Sequence, residues 1–149
     1  MHSRVLAALV LLGIASDPSF LVARQTTGSA RTFEARLSTV PIDLAMASTI
    51  AGSGSVTATL KGRTLTVNGT FNGLKSPATV ARLHRSPNRG IRGPAFADLT
   101  ATAGTSGGIS GSVELTAAQV EDLEKGRLYV QLHSEKAPDG NLWGWLLAK

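Results

Sequence analysis

From Thr32 onward the chain runs in short segments whose apolar and polar residues alternate, and that period of two most constrains its fold. Phe33, Ala35, Leu37 and Thr39 alternate with Glu34, Arg36 and Ser38, as in a strand with one face buried. Pro41 ends that strand or marks its edge. Val56, Ala58 and Leu60 share one face of the next run. Leu65, Val67 and Phe71 follow the turn Lys61-Gly62-Arg63, which reads as a β-hairpin. Further strands are expected over residues 79–84, 95–101, 109–115, 127–134 and 142–148. The Gly-rich segment 104–108 joins two of them as a turn. That segment lacks the Gly-Lys-Ser/Thr ending of a phosphate loop and leads into no helix, so nucleotide binding is excluded.

One helix interrupts the strands. Thr116 stands at the N-cap and Gln119 three residues later, forming a capping box. Val120 and Leu123 make a narrow apolar stripe, and Gly126 suits the position after the last turn. Such a helix is a connector. About eight strands without strand–helix–strand alternation describe an antiparallel sandwich or barrel.

The N-terminus places Arg4 before the apolar run Val5–Ala15, the pattern of a secretory signal peptide. The run is shorter than the roughly 20 residues a bilayer span needs. Residues 1–23 are assigned to the signal, with cleavage between Ala15 and Ala30; the competing reading is an uncleaved anchor extended by Phe20–Ala23. Residues 24–31 form a polar linker, and residues 32–149 one domain. The mature chain is therefore expected outside the cytoplasm, periplasmic or secreted, with no membrane span. The chain has no cysteine, which excludes disulfides, a thiol nucleophile, a thiolate metal site and a lipid-anchored cysteine. A domain of this size buries enough apolar surface without disulfides.

The C-terminal half carries a recognisable series: Leu115–Gly126, then Tyr129-Val-Gln-Leu-His133-Ser, then Pro138-Asp-Gly140-Asn-Leu-Trp-Gly144. With Leu65–Phe71, Ala81–His84 and Gly93–Leu99, it resembles the chordin-type (CHRD) domain over about residues 32–147. The resemblance implies an antiparallel Greek-key β-sandwich, similar in shape to copper–zinc superoxide dismutase. It also implies an exported module without an assigned enzymatic activity. Two departures stand out. Arg82-Leu83-His84 replaces a frequent His-x-His, and Asn141 and Trp143 replace a Glu and an Arg of the final hairpin.

His84 and His133 are the only histidines beyond the signal. His133 shares a strand face with Tyr129 and Gln131, and His84 shares one with Arg82. On neighbouring strands they would hold copper or zinc, completed by Asp98 or Glu135. The plainer reading gives each imidazole a loop carbonyl to bond, and no metal or other cofactor is expected. Arg82, Arg85, Arg89 and Arg92 lie within eleven residues that contain no acid, and they supply most of the +5 formal charge. Guanidinium groups fork onto carboxylate or sulfate, so the loop suits an anionic polymer or stays simply solvated. Aromatic interleaving for nucleic-acid stacking is absent, so nucleic acid is not an expected partner. Trp143 and Trp145 share a face and are read as core volume in preference to a sugar platform. No Gly-x-Ser-x-Gly elbow or His-Glu-x-x-His occurs. Asn68-Gly69-Thr70 matches a glycosylation sequon within a strand. The expectation is a non-enzymatic exported binding or structural module, its partner an extracytoplasmic protein or anionic polymer. The alternatives are a copper–zinc protein of dismutase-like shape and a polyanion binder using residues 82–92.

Overall fold

The computed structural model describes residues 28–149. The expected signal peptide and the first residues of the linker lie outside them. Each alternating run becomes a strand: β1 Arg31–Thr39, β2 Ser53–Lys61, β3 Thr64–Asn72, β4 Ala78–Arg85, β5 Ala95–Ala101 and β6 Gly107–Glu114. After helix α1 (Ala117–Glu124) come β7 Leu128–Ser134, β8 Ala137–Trp145 and the two-residue β9 Leu147–Ala148. A single 3-10 turn spans Met46–Ser48. All pairings are antiparallel, in the order β1-β2-β3-β6-β5-β4-β7-β8 and back to β1.

The expected open Greek-key sandwich is therefore replaced by a closed eight-stranded barrel with β9 as an extra strand. Closure rests on β1 and β5, which each change partner along their length. β1 pairs with β2 over Arg31–Leu37, while Ser38 and Thr39 pair with Trp143 and Leu142 of β8. β5 pairs with β4 through Ala95–Leu99 and with β6 only at Thr100 and Ala101. Alternation identifies which face of a strand is buried, but an edge strand and a seam strand carry the same pattern. Closing both seams leaves no long unpaired edge.

The β1–β8 seam has a gap. β9 pairs with Phe33 and Glu34 in the register that Ser38 and Thr39 keep with β8, so one ladder is interrupted opposite residues 35–37. At the gap Gly144 lies flush against β1: a Cβ there would stand 2.5 Å from the Arg36 carbonyl oxygen. Any side chain would push the two strands apart.

Inward side chains fill the barrel. Leu37, Leu83, Leu132 and Leu142 are fully buried, and each contributes on the order of 1.5–3 kcal/mol by leaving water. Val40, Ile50 and Ala137 form a small second cluster with Met46 and one edge of Trp143. The helix begins as expected: the Thr116 hydroxyl accepts from the Gln119 N–H at 3.2 Å, and Gln119 Oε1 accepts from the Thr116 N–H at 2.9 Å. It presents Leu123 to the core. Beside it the buried Asp122 carboxylate is held by Arg85 and, at 3.7 Å, by Arg127.

Leu83→Ala is expected to lose about 2–5 kcal/mol in urea unfolding, because the rigid barrel wall cannot collapse into the cavity. Leu44→Ala, at a side chain 97% exposed, is expected to change stability by less than about 0.5 kcal/mol.

Candidate functional site

The outer face of β1, β8, β7 and β4 carries most of the chemistry-bearing side chains. Because strand neighbours alternate in direction, burying Leu128, Val130 and Leu132 inside the barrel turns Tyr129, Gln131 and His133 outward. Register then aligns two rows: His84, Tyr129 and Trp145, and beside it Arg82, Gln131 and Trp143. The β4–β5 loop, residues 86–94, folds back over this face, which is why outward residues are nevertheless buried. Tyr129 is 1%, Gln131 3%, His133 6% and His84 8% exposed.

Gly93 fastens the loop. Its N–H donates to the Tyr129 hydroxyl at 3.0 Å, and its carbonyl accepts from that hydroxyl at 3.1 Å. The same carbonyl accepts from His84 Nδ1 at 2.9 Å. A Cβ on residue 93 would stand 1.8 Å from the Arg85 carbonyl oxygen, so only glycine fits. The Tyr129 ring stacks on His84 with centroids 4.7 Å apart and leans on Trp145 at 4.4 Å.

His133 Nδ1 donates to the Pro138 carbonyl at 2.8 Å. Each imidazole thus bonds a backbone carbonyl, His84 one in the β4–β5 loop as the plainer sequence reading has it, and His133 one within β8. The two rings also meet, with centroids 6.3 Å apart and planes 24° from parallel. Asp98 does not join them: it pairs with Arg82 at 2.9 Å. Glu135 is exposed, and no group of three or more His, Asp or Glu side chains is placed to hold a metal among the described residues. A four-ligand zinc centre of the dismutase kind has no basis there.

Burial lowers the His84 pKa below its ordinary 6.5; the Gly93 carbonyl opposes this, and His133, Arg82 and Arg92 add to it. Burial likewise lowers the His133 pKa, with the Pro138 carbonyl and Asp139 opposing and Arg82 and Arg92 assisting. Both rings are neutral at pH 7.

The four loop arginines do not form one patch. Arg82 is matched by Asp98 and Arg85 by the buried Asp122. Arg92 donates to the Asp139 carbonyl at 3.3 Å and lies 5.7 Å from the Trp143 ring centroid. Arg89 makes no ion pair or side-chain hydrogen bond with the described residues and lines a cleft of about 330 Å³. That cleft lies over the interrupted β1–β8 ladder, with Arg36, Glu34 and Ser38 on one wall and Trp143, Trp145 and Leu147 on the other. The expectation that both tryptophans supply core volume holds only in part: both are half-buried on the barrel's outside, 5.8 Å apart, and Trp143 alone packs on the small second cluster. Their strand faces away from the barrel because Leu142 and Leu146 take the inner positions. Arg36 was not singled out from sequence, since an outward charge on a strand looks like any solvated residue. A larger cavity of about 690 Å³ beside Ala30–Phe33 has its charges already matched, Arg31 by Glu124 and Lys149 by Glu34.

With the barrel and its covered face described, comparison with known families becomes decisive: the CHRD domain model matches residues 33–146. This chain belongs to the CHRD-domain family. No curated protein and no solved structure matches it. CHRD domains are small extracellular-type modules and a non-catalytic family. The match spans every strand except β9 and includes both histidines, Gly93 and the two tryptophans. No helix among the described residues is long and apolar enough to cross a membrane.

In the metal-free CHRD domain, stability is expected to fall as pH drops below about 6.5, where the unfolded histidines take up protons that the buried ones refuse. Urea unfolding between pH 7.5 and 5.5 with a chelator present reads this slope, and replacing both histidines with Gln flattens it. Gly93→Ala is expected to cost about 1–3 kcal/mol or more by overpacking, and to raise the acrylamide accessibility of Trp145 as the loop lifts from Tyr129.

Proposed function

We propose that this CHRD-domain protein is an exported, non-catalytic binding module whose ligand is an acidic polysaccharide held in the Trp143–Trp145 cleft. The carrying observation is the composition of that cleft. Two half-buried indoles stand beside Arg36 and Arg89, the arginines without an ion-pair partner among the described residues of the cleft. Sugar rings present C–H faces that suit indole surfaces, and their carboxylate or sulfate groups suit the guanidinium fork. Arg89 comes from the expected basic loop, whereas Arg36 comes from β1. On this reading the groove uses one of the four arginines of the expected loop. Glu34 sits at one end of the groove, paired with Lys149 at 2.8 Å, so it repels a polyanion less than a bare carboxylate would.

The non-catalytic reading has its own support. Among the described residues neither imidazole is hydrogen-bonded to a nucleophile or a carboxylate, and the cleft is lined by one carboxylate, one hydroxyl and two guanidinium groups. Export follows from the reading of residues 1–23 and agrees with the extracellular character of the family.

Heparin serves as the polyanionic probe and dextran as the neutral one, with tryptophan fluorescence as the readout. Heparin is expected to shift the emission and dextran to leave it unchanged. Arg89→Ala and Arg36→Ala should each weaken heparin binding roughly tenfold, the loss of one charge-assisted contact of about 1.5 kcal/mol. Arg85→Ala should leave affinity nearly unchanged, because that side chain is committed to Asp122. Equal binding of dextran, or indifference to both Arg36 and Arg89, overturns the proposal.

A further inference from the structure

We propose that His84 and His133 form a two-coordinate site for a single Cu(I) ion. The argument begins with the nitrogens that do not face the loops. Each Nδ1 donates to a backbone carbonyl, Gly93 for His84 and Pro138 for His133, which fixes the proton there and leaves the lone pair on Nε2. His84 Nε2 is buried and has no hydrogen-bond partner among the described residues. His133 Nε2 has only a long 3.5 Å contact with Gln131 Nε2. Gln131 is in turn held by the Asp139 carbonyl at 3.1 Å, a bond it keeps if the contact to His133 is given up. A buried acceptor without a donor costs on the order of 1–3 kcal/mol, and a bound ion removes that cost.

The ring separation matches one bridging ion. Two metal–nitrogen bonds of about 2 Å in line, with the rings beyond them, put ring centres roughly 6 Å apart. The observed separation is 6.3 Å, with the planes 24° from parallel. The nitrogen-to-backbone bonds orient both rings in advance, as outer-shell carbonyls do for ligating histidines.

Charge and coordination number select the metal. Zinc in a protein takes four ligands, and among the described residues no third His, Asp or Glu is placed with the two imidazoles to hold a metal. Arg82 and Arg92 both bear on the imidazoles and penalise a dication more than a monocation. Asp98 offsets Arg82, which eases a single positive charge. Imidazole is a good copper ligand, and two imidazoles that are each less than one-tenth exposed withhold the water and anions that Cu(II) prefers. The inference is independent of the polysaccharide cleft, which uses none of these groups.

The test is anaerobic titration of the metal-free protein with Cu(I) against a chromophoric Cu(I) chelator. One equivalent is expected to bind, and uptake in competition is expected to vanish in His84→Gln and in His133→Gln. Because either variant can misfold, the wild-type chain is also titrated with Ag(I), the closed-shell analogue, under 15N NMR. Both Nε2 resonances are expected to move together at one equivalent while both Nδ1 remain protonated. Zn(II) at the same concentration is expected to move neither. Copper uptake that survives both substitutions, a shift at only one imidazole, or binding of Zn(II) more tightly than Cu(I) overturns the proposal. Heparin binding through Arg36 and Arg89 is read separately, so the two readings fail separately.

Discussion

Ring closure is the constraint on which the rest of this CHRD domain depends. A twisted sheet with one apolar face must cover that face, and here it does so by curling until β8 meets β1 and β5 meets β6. The seams are short because β1 and β5 divide their lengths between two neighbours. The curling directs leucines from seven of the strands and from the helix into one interior. It also decides what happens outside. Closure pairs the end of β1 with β8 at Ser38 and Thr39 and its start with β9 at Phe33 and Glu34, and the cleft lies over the unpaired stretch between them.

The outer face has a second organiser in Gly93. Three hydrogen bonds converge on its peptide groups, from Tyr129 in both senses and from His84. They turn a polar surface of a barrel into a buried layer with its own aromatic stack. Burial lowers the histidine pKa values, keeps the rings neutral and leaves their outer nitrogens in a dry setting. A loop that reads as solvent-exposed punctuation thus acts as a lid over the most chemically capable residues of the chain.

Much of this was legible in the sequence and some of it was not. The strands were visible because Phe33, Ala35 and Leu37 repeat at two residues, and the helix because Thr116 and Gln119 announce its start. The outward placing of Tyr129, Gln131 and His133 followed from the same alternation. Closure was hidden, since it rests on four residue pairs at two seams and leaves the hydrophobic pattern unchanged. The first half of β8, from Ala137 to Asn141, lay outside the expected strand 142–148, because its pairing with β7 is irregular: only Ala137 there is matched, to Ser134. The meeting of His84 and His133 needed the β4–β7 pairing, which joins segments more than forty residues apart. The fate of the arginines was equally long-range. Asp98 and Asp122, which neutralise two of them, lie outside the basic stretch.

That neutralisation has a consequence for encounter in solution. A segment of four guanidinium groups would cast a field well beyond its contact radius and draw anions in from bulk solvent. With Asp98 and Asp122 each matched to one of them, the far field is that of two scattered charges, which physiological salt screens within about 8 Å. For the proposed polyanion, these two pairs weaken the steering that four unmatched guanidinium groups would give. On that proposal, what distinguishes a productive collision is how long the polymer stays once its rings lie against Trp143 and Trp145. Dissociation rate, and not capture rate, is where such a surface discriminates between ligands.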